Sequence, residues 1–247
     1  ELGQHLKVAL NGTGGDELFA GYGRYFQLPV EKRFLSLPRG ICAMAKFGAG
    51  LVSPMTRWQL GRAEKFFQNR GQYIHEHSTH FPKPVRDLIG NQSGDTNSVQ
   101  SQAFQEFSGD AQSGGLYADL CTYLPDDLLT LLDRTSMAVS VEGRVPFLDH
   151  RFVEACLAVP AHIRTPNDRQ KSLERNIASK YLPDEVLSAP KQGFASPVPA
   201  WIKAGLGPLA KRLLTNKRAL ERGWWTADGI DRLFAKPDLH GVRVYSL

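Results

Sequence analysis

The chain has 247 residues, is 42% hydrophobic and carries a formal net charge of +5, enough length to bury a core as one large domain or two small ones. Its lysines and arginines are scattered, with no basic arm and no interleaved aromatic platform, so no nucleic-acid surface is indicated; no stretch resembles a signal peptide, and the apolar run Ile41 to Val52 is too short to span a membrane. Cys42, Cys121 and Cys156 are far apart and form no C-x-x-C pair, which excludes a disulfide framework or a cysteine zinc site and fits a reducing, cytoplasmic compartment.

In chain order, Leu6 to Leu10 is the clearest strand. It runs directly into N-G-T-G-G-D-E-L-F-A-G-Y, Asn11 to Tyr22, a glycine-rich turn opening a helix expected over Asp16 to Tyr25. Gly12, Gly14 and Gly15 allow positive φ and close approach of a ligand to the backbone. Amides of the first helical turn lack helical partners and point at whatever sits there. Asp16 and Glu17 suit the positive end of the helix dipole, and Asp16 can hold a magnesium ion. An ordinary capped helix start has the same features. The Walker-loop lysine is absent, so a lysine that reaches phosphate must come from elsewhere.

Val30 to Leu37 and Ile41 to Leu51 read as helices on either side of Pro38-Arg39-Gly40. Arg62 to His77 reads as an amphipathic helix. Gly90 to Gln102, dense in Gly, Asn, Ser and Gln, reads as a surface loop. From Gly115 to about Val159 helices are expected. Pro125 with Asp126 and Asp127 marks a helix start, and Leu128, Leu129, Leu131 and Leu132 form a stripe expected to face the core. Asp133, Arg134, Ser136, Glu142 and Arg144 then interrupt an apolar stretch. Buried charges are costly unless paired, so Asp133 with Arg134, and Glu142 with Arg144, are expected as ion pairs and together as the wall of a polar cleft.

Lys171 to Tyr181 reads as a helix that Pro183 ends. Pro190 to Pro199 reads as a loop on which Pro190 and Gly193 constrain Lys191, where an ammonium can meet phosphate or developing negative charge; a loop lysine is more often solvated and idle. A short helix holding Trp201 and Ile202 follows, then a helical tail from Pro208 to Phe234 with a break near Gly223, and a strand at Val242 to Tyr245.

Three of these segments together, G-G-D-E-L-F-x-G-Y, the long Y-L-P-D-D-L-L to R-V-P-F-L-D-H run, and P-K-x-G-F, resemble the synthetase domain of glutamine-hydrolysing asparagine synthetases. The resemblance spans nearly the whole chain and is weakest between Pro29 and Gly114. It implies an α/β fold of the adenine nucleotide alpha-hydrolase-like kind, a parallel sheet with helices, of which this chain supplies a mainly α-helical part with one N-terminal strand. It implies ATP and Mg2+ as cofactors, and activation of the aspartate side chain as an acyl-adenylate that glutamine-derived ammonia then attacks. By matching position, Asp16 is the metal ligand. Gly12, Thr13, Gly14, Gly15 and Glu17 shape the loop near pyrophosphate. Lys191 is the lysine that stabilises charge, and Asp133 lies near the substrate or its proton relay. Glu142 and Arg144 stay as cleft-wall or structural groups.

The chain departs from that family pattern in two ways. The S-G-G-x-D-S pyrophosphate loop and an N-terminal cysteine nucleophile are absent, so residues 1–247 are expected to be the C-terminal part of a synthetase domain without its glutaminase domain, and inactive as an isolated piece. Thr13 stands where the family carries an acidic residue, and Asn11 replaces a serine; threonine is not a general base near neutral pH. The alternatives are therefore a related amidotransferase or ring-closing amide synthetase with another acceptor, and a non-catalytic helical interaction module. An exposed sheet edge near Leu6 to Leu10 is expected to favour self-association, a homodimer being the simplest form.

Overall fold

A computed structural model describes residues 2–26, 29–52, 57, 60, 87–90, 99–189 and 197–235. The expected helix at 62–77, the strand at 242–245 and Lys191 lie outside these residues. The chain forms two compact units, residues 1–29, 65–75 and 97–190 in one and 30–64, 76–96 and 191–247 in the other.

The first unit holds a two-stranded parallel sheet. Strand β1, Val8–Leu10, pairs with β2, Glu142–Arg144, with Val8 opposite Glu142 and Leu10 opposite Arg144. Two further bonds extend the ladder, Glu142 N to Lys7 O and Asn11 N to Arg144 O, both 2.8 Å. The expectation of a single strand, with helix through this region, is thereby corrected. The preceding helix, Thr130–Met137, stops at a turn in which Ser140 has a φ of 57°. Beyond it, Gly143 and the approaching Pro146 leave no run able to resume a helix.

Residues alternate faces along a strand. Ala9 and Gly143 share the inner face, where the absent Gly143 side chain makes room for Leu132: a Cβ there would lie 3.3 Å from its Cγ. Val8 and Leu10 share the outer face and are exposed.

The helix expected over Asp16 to Tyr25 is broken. Helix α1, Leu2–His5, precedes the strand, and α2 covers only Gly15–Leu18 before Ala20 adopts a φ of 52° and a tight 3-10 turn forms at Gly23–Tyr25. Leu124–Leu129 is a π-helical turn with Pro125 near its start. Of the leucine stripe, Leu128, Leu129 and Leu132 are half-buried and Leu131 is exposed.

Leu18, Phe19 and Cys156 form one core cluster of this unit, packed by Phe147, Val153 and Leu173. Ala20, Tyr25 and Leu116 form another. Arg164 is fully buried and closes the end of the His150–Ala158 helix, donating to the carbonyls of Cys156 at 2.9 Å and Val159 at 2.6 Å and to Ser113 Oγ at 3.1 Å. Burial pulls its pKa below the usual arginine value.

The second unit follows the sequence more closely. Helices run over Pro29–Leu35 and Arg39–Val52, and Gly223, at a φ of 70°, breaks the tail between Lys217–Leu220 and Ala227–Ala235. Ile89, Ile230 and Leu233 form its core, against Ile202, Leu214 and Trp225. The expected loop at 90–102 already turns helical at Val99, in the Val99–Glu106 helix of the first unit. Among the described residues no helix is long and apolar enough to cross a membrane.

Candidate functional site

The glycine loop is held by an Asn11 side chain folded over it. Asn11 Oδ1 accepts from the Thr13 amide at 2.8 Å and from the Thr13 hydroxyl, an Asx turn of the kind that shapes tight backbone corners. Gly14 has a φ of 96°, and a Cβ there would also strike Leu148 Cδ2 at 2.5 Å, so glycine is required twice over. Gly12 is exposed, and a Cβ on it would meet no atom within 4 Å. The protein's own packing does not require it.

Asp16, in the first turn of α2, meets a cation that sequence reasoning missed. Lys171 Nζ lies 2.9 Å from Asp16 Oδ1 and 3.3 Å from Glu174 Oε2. Gly21 lets this happen: a Cβ there would sit 1.9 Å from Asp16 Oδ1 and 2.8 Å from Lys171 Cε. Lys171 itself has a φ of 55° and donates its amide to Phe19 O at 3.1 Å. A bulky residue in that backbone region is strained, and such strain clusters at functional sites. Burial pulls the Lys171 pKa down, but the Asp16 hydrogen bond and the charges of Glu174 and Asp16 outweigh it and hold the ammonium protonated above the usual lysine range.

Beneath this cluster lies a buried polar hub. Glu17 accepts from Tyr22 Oη at 2.7 Å. Arg24 donates to Asp119 Oδ2 from Nε at 3.0 Å and Nη2 at 2.7 Å, and Tyr25 Oη donates to the same oxygen. The guanidinium stacks over Tyr22 at 4.2 Å and Tyr123 at 5.0 Å, geometry that favours a cation over an aromatic face. Burial pushes the Tyr25 hydroxyl well above its ordinary pKa, reinforced by the Asp119 charge. The hub ties the residues after the glycine loop to the Ala111–Cys121 helix.

The other expected residues fall in different places. Asp133 is exposed on the Thr130–Met137 helix, and among the described residues no hydrogen bond or ion pair links it to Asp16. Its expected pairing with Arg134 does not form in the described contacts, since adjacent helical residues point apart. Glu142 and Arg144 do pair, at 3.0 Å, but both are exposed on the outer face of the sheet and do not wall a buried cleft. A shallow concavity of about 330 Å³ is lined by Val99, Gln100, Thr122, Tyr123, Asp126 and Asp127, and no glycine-loop residue reaches it.

Asp16 and Glu174 both contact the Lys171 ammonium, and among the described residues no group of three or more His, Cys, Asp or Glu side chains gathers, so of the two only Asp16, at the end of the glycine loop, is placed to offer a carboxylate to a phosphate-bound magnesium ion. Magnesium is commonly held by one or two carboxylates together with substrate phosphates. Lys171 and Glu174 carried no sequence signal, because K-S-L-E-R reads as an ordinary helix start. The positive φ of Lys171 and its closeness in space to Asp16 are visible only in three dimensions.

Comparison with known proteins identifies a family. A family model described as asparagine synthase matches residues 1–246. The chain is 29% identical over 223 residues to asparagine synthetase (glutamine-hydrolysing) 1 of Bacillus subtilis, covering 88% of this chain and 35% of that protein. It is 40% identical over 196 residues to asparagine synthetase 3 of the same organism, 78% of this chain and 27% of that one. A Penicillium rubens protein named amidase chyE is 24% identical over 281 residues, 97% of this chain and 40% of its own length. The chain thus spans about a third of the length of these relatives. No solved structure gives a significant match. With a family match over nearly its whole length and a charged cluster at the glycine loop, the chain belongs to the asparagine synthase family.

Proposed function

We propose that this chain is the C-terminal part of the synthetase domain of a cytoplasmic, ATP-dependent amide ligase of the glutamine-hydrolysing asparagine synthetase type. The reaction activates a carboxylate as an acyl-adenylate and transfers it to ammonia released from glutamine elsewhere in the protein. A carboxylate is a poor electrophile, and adenylation gives it a leaving group. The enzyme's task is then to neutralise pyrophosphate and orient two reactants.

The observation that carries the reading is the Lys171–Asp16 pair at the end of the glycine loop, built on strained backbone and a glycine with no room for a side chain. Neither charge serves apolar packing. Asp16 would hold Mg2+, which when bound offsets the charge of the polyphosphate. Gly12, Thr13, Gly14 and Gly15 shape the loop near pyrophosphate, its corner held by the Thr13 amide on Asn11 and the Gly15 amide on Gly12 O, and Glu17 braces the turn through Tyr22. Lys171 brings an ammonium to the same mouth, and Lys191, by family position, supplies a second. Asp133 is assigned near the acceptor by family position alone.

The test uses the full-length protein with ATP, glutamine and aspartate, following pyrophosphate release. Asp16→Asn is expected to lower turnover on the order of 100-fold; wild-type turnover in that variant overturns the reading. A second reading, an amide synthetase with another acceptor, is favoured by Thr13. Its hydroxyl is committed to Asn11 and cannot serve as a base near neutral pH. Release with other carboxylates but not with aspartate selects that reading, and release with none selects a non-catalytic module.

A further inference from the structure

The ammonium of Lys171 has two anchors, Asp16 and Glu174, at 2.9 and 3.3 Å. They are not equivalent. Asp16 stands at the end of the glycine loop, where the reading above assigns a divalent cation. Glu174 lies one helical turn beyond Lys171 on the Ser172–Ala178 helix, a spacing at which side chains meet.

A divalent cation on Asp16 repels an ammonium from the same carboxylate. The Lys171 backbone stays fixed, because its amide is bonded to Phe19 O at 3.1 Å, so only the side chain can yield. Glu174 is placed to retain it: its other oxygen, Oε1, would lie 3.6 Å from a Cβ on Gly15, so the carboxylate rests against the loop. With a side chain only a quarter exposed, it is also partly shielded from water.

We propose that Glu174 is a positioning residue that keeps the Lys171 ammonium beside the glycine loop when a divalent cation takes Asp16, leaving the lysine available to phosphate oxygens. The inference rests on Asp16 being the cation ligand. Without the Glu174 charge, Lys171 has one carboxylate left, Asp16, and competes with the cation for it.

The test is a double-mutant cycle on the full-length protein, titrated with Mn2+ at about 0.15 M salt, where distant exposed charges are screened. Binding is followed by loss of the free-Mn2+ electron paramagnetic resonance signal. Glu174→Gln is expected to weaken Mn2+ binding roughly fivefold with Lys171 in place, and by less than about twofold in a Lys171→Met background. Lys171→Met alone is expected to tighten binding, and Glu174→Asp, which keeps the charge, to bind as wild type. Circular dichroism on each variant identifies any that fails to fold. Equal losses in both backgrounds would overturn the inference by showing that Glu174 acts on the cation directly, and no loss in either would overturn it by showing no role. Asp16→Asn in the same titration separates the two claims. If it binds Mn2+ like wild type, or if neither wild type nor Lys171→Met binds, the assignment of Asp16 fails. If it abolishes binding while the cycle shows no coupling, only the role of Glu174 fails.

Discussion

Gly21 has no space for even one more carbon. A methyl group there would overlap the Asp16 carboxylate and crowd the Lys171 stem. Gly21→Ala is expected to cost about 1–2 kcal/mol in stability, since overpacking at a constrained site forces side chains to move, and to abolish pyrophosphate release. Urea unfolding and the release assay check both; an alanine variant with full turnover would show that the Asp16–Lys171 geometry is dispensable. Glu17 supplies a pH test. Burial raises its pKa above the ordinary 4.5; the Tyr22 hydroxyl pulls it back, and the charges of Asp16 and Asp119 push it up. An acid with a raised folded pKa contributes stability that is complete below the unfolded pKa and is lost as pH rises through the folded one. The urea midpoint should therefore fall as pH climbs upward from about 4.5, and Glu17→Gln should flatten that fall. An unchanged slope in the glutamine variant refutes the assignment. Asp16 and Glu17 were legible as chemistry because a carboxylate beside a glycine turn is a local pattern. Lys171 was not, because nothing near it in the chain marks its partner.

At the scale of elements, the Arg24–Asp119 pair fastens the turn after α2 to the Ala111–Cys121 helix. Asp119 is buried, so Asp119→Asn leaves a guanidinium among tyrosines without its counter-charge. A loss of about 3–5 kcal/mol is expected, and the double replacement Arg24→Met with Asp119→Leu should cost less than the single one. Chemical denaturation of both variants decides; a milder single variant would mean that the hub is already solvated. Helices such as Arg39–Val52, His150–Ala158 and Ala227–Ala235 were readable because apolar side chains recur with the helical period. Strand β2 and the π turn at Leu124–Leu129 were not. Three residues, Glu-Gly-Arg, show no alternation to read, and their partner strand lies far away in the chain. The π turn carries no apolar spacing that tells it from an ordinary helical turn.

At the scale of the whole molecule, the outer face of the sheet leaves apolar side chains exposed. Val8 and Leu10 are exposed, as are Leu6, Leu131, Met137 and Val139 in the same unit. β1 and β2 are each other's only strand neighbour among the described residues. Exposed apolar surface and open strand edges favour association. Residues 1–247 expressed alone should sediment as an associating species, and Val8→Lys with Leu10→Lys should shift it toward monomer. An unchanged distribution would place the contact elsewhere. The amino-acid sequence by itself determined the family, the glycine loop with its carboxylates and most helices, because these are written in short-range spacing and residue chemistry. Tertiary structure alone decided that Lys171 and Glu174 complete the loop's charge cluster, that Glu142 and Arg144 face outward, and that a second strand joins the first. Each of those depends on the path of the chain between distant positions, and local periodicity carries no record of that path.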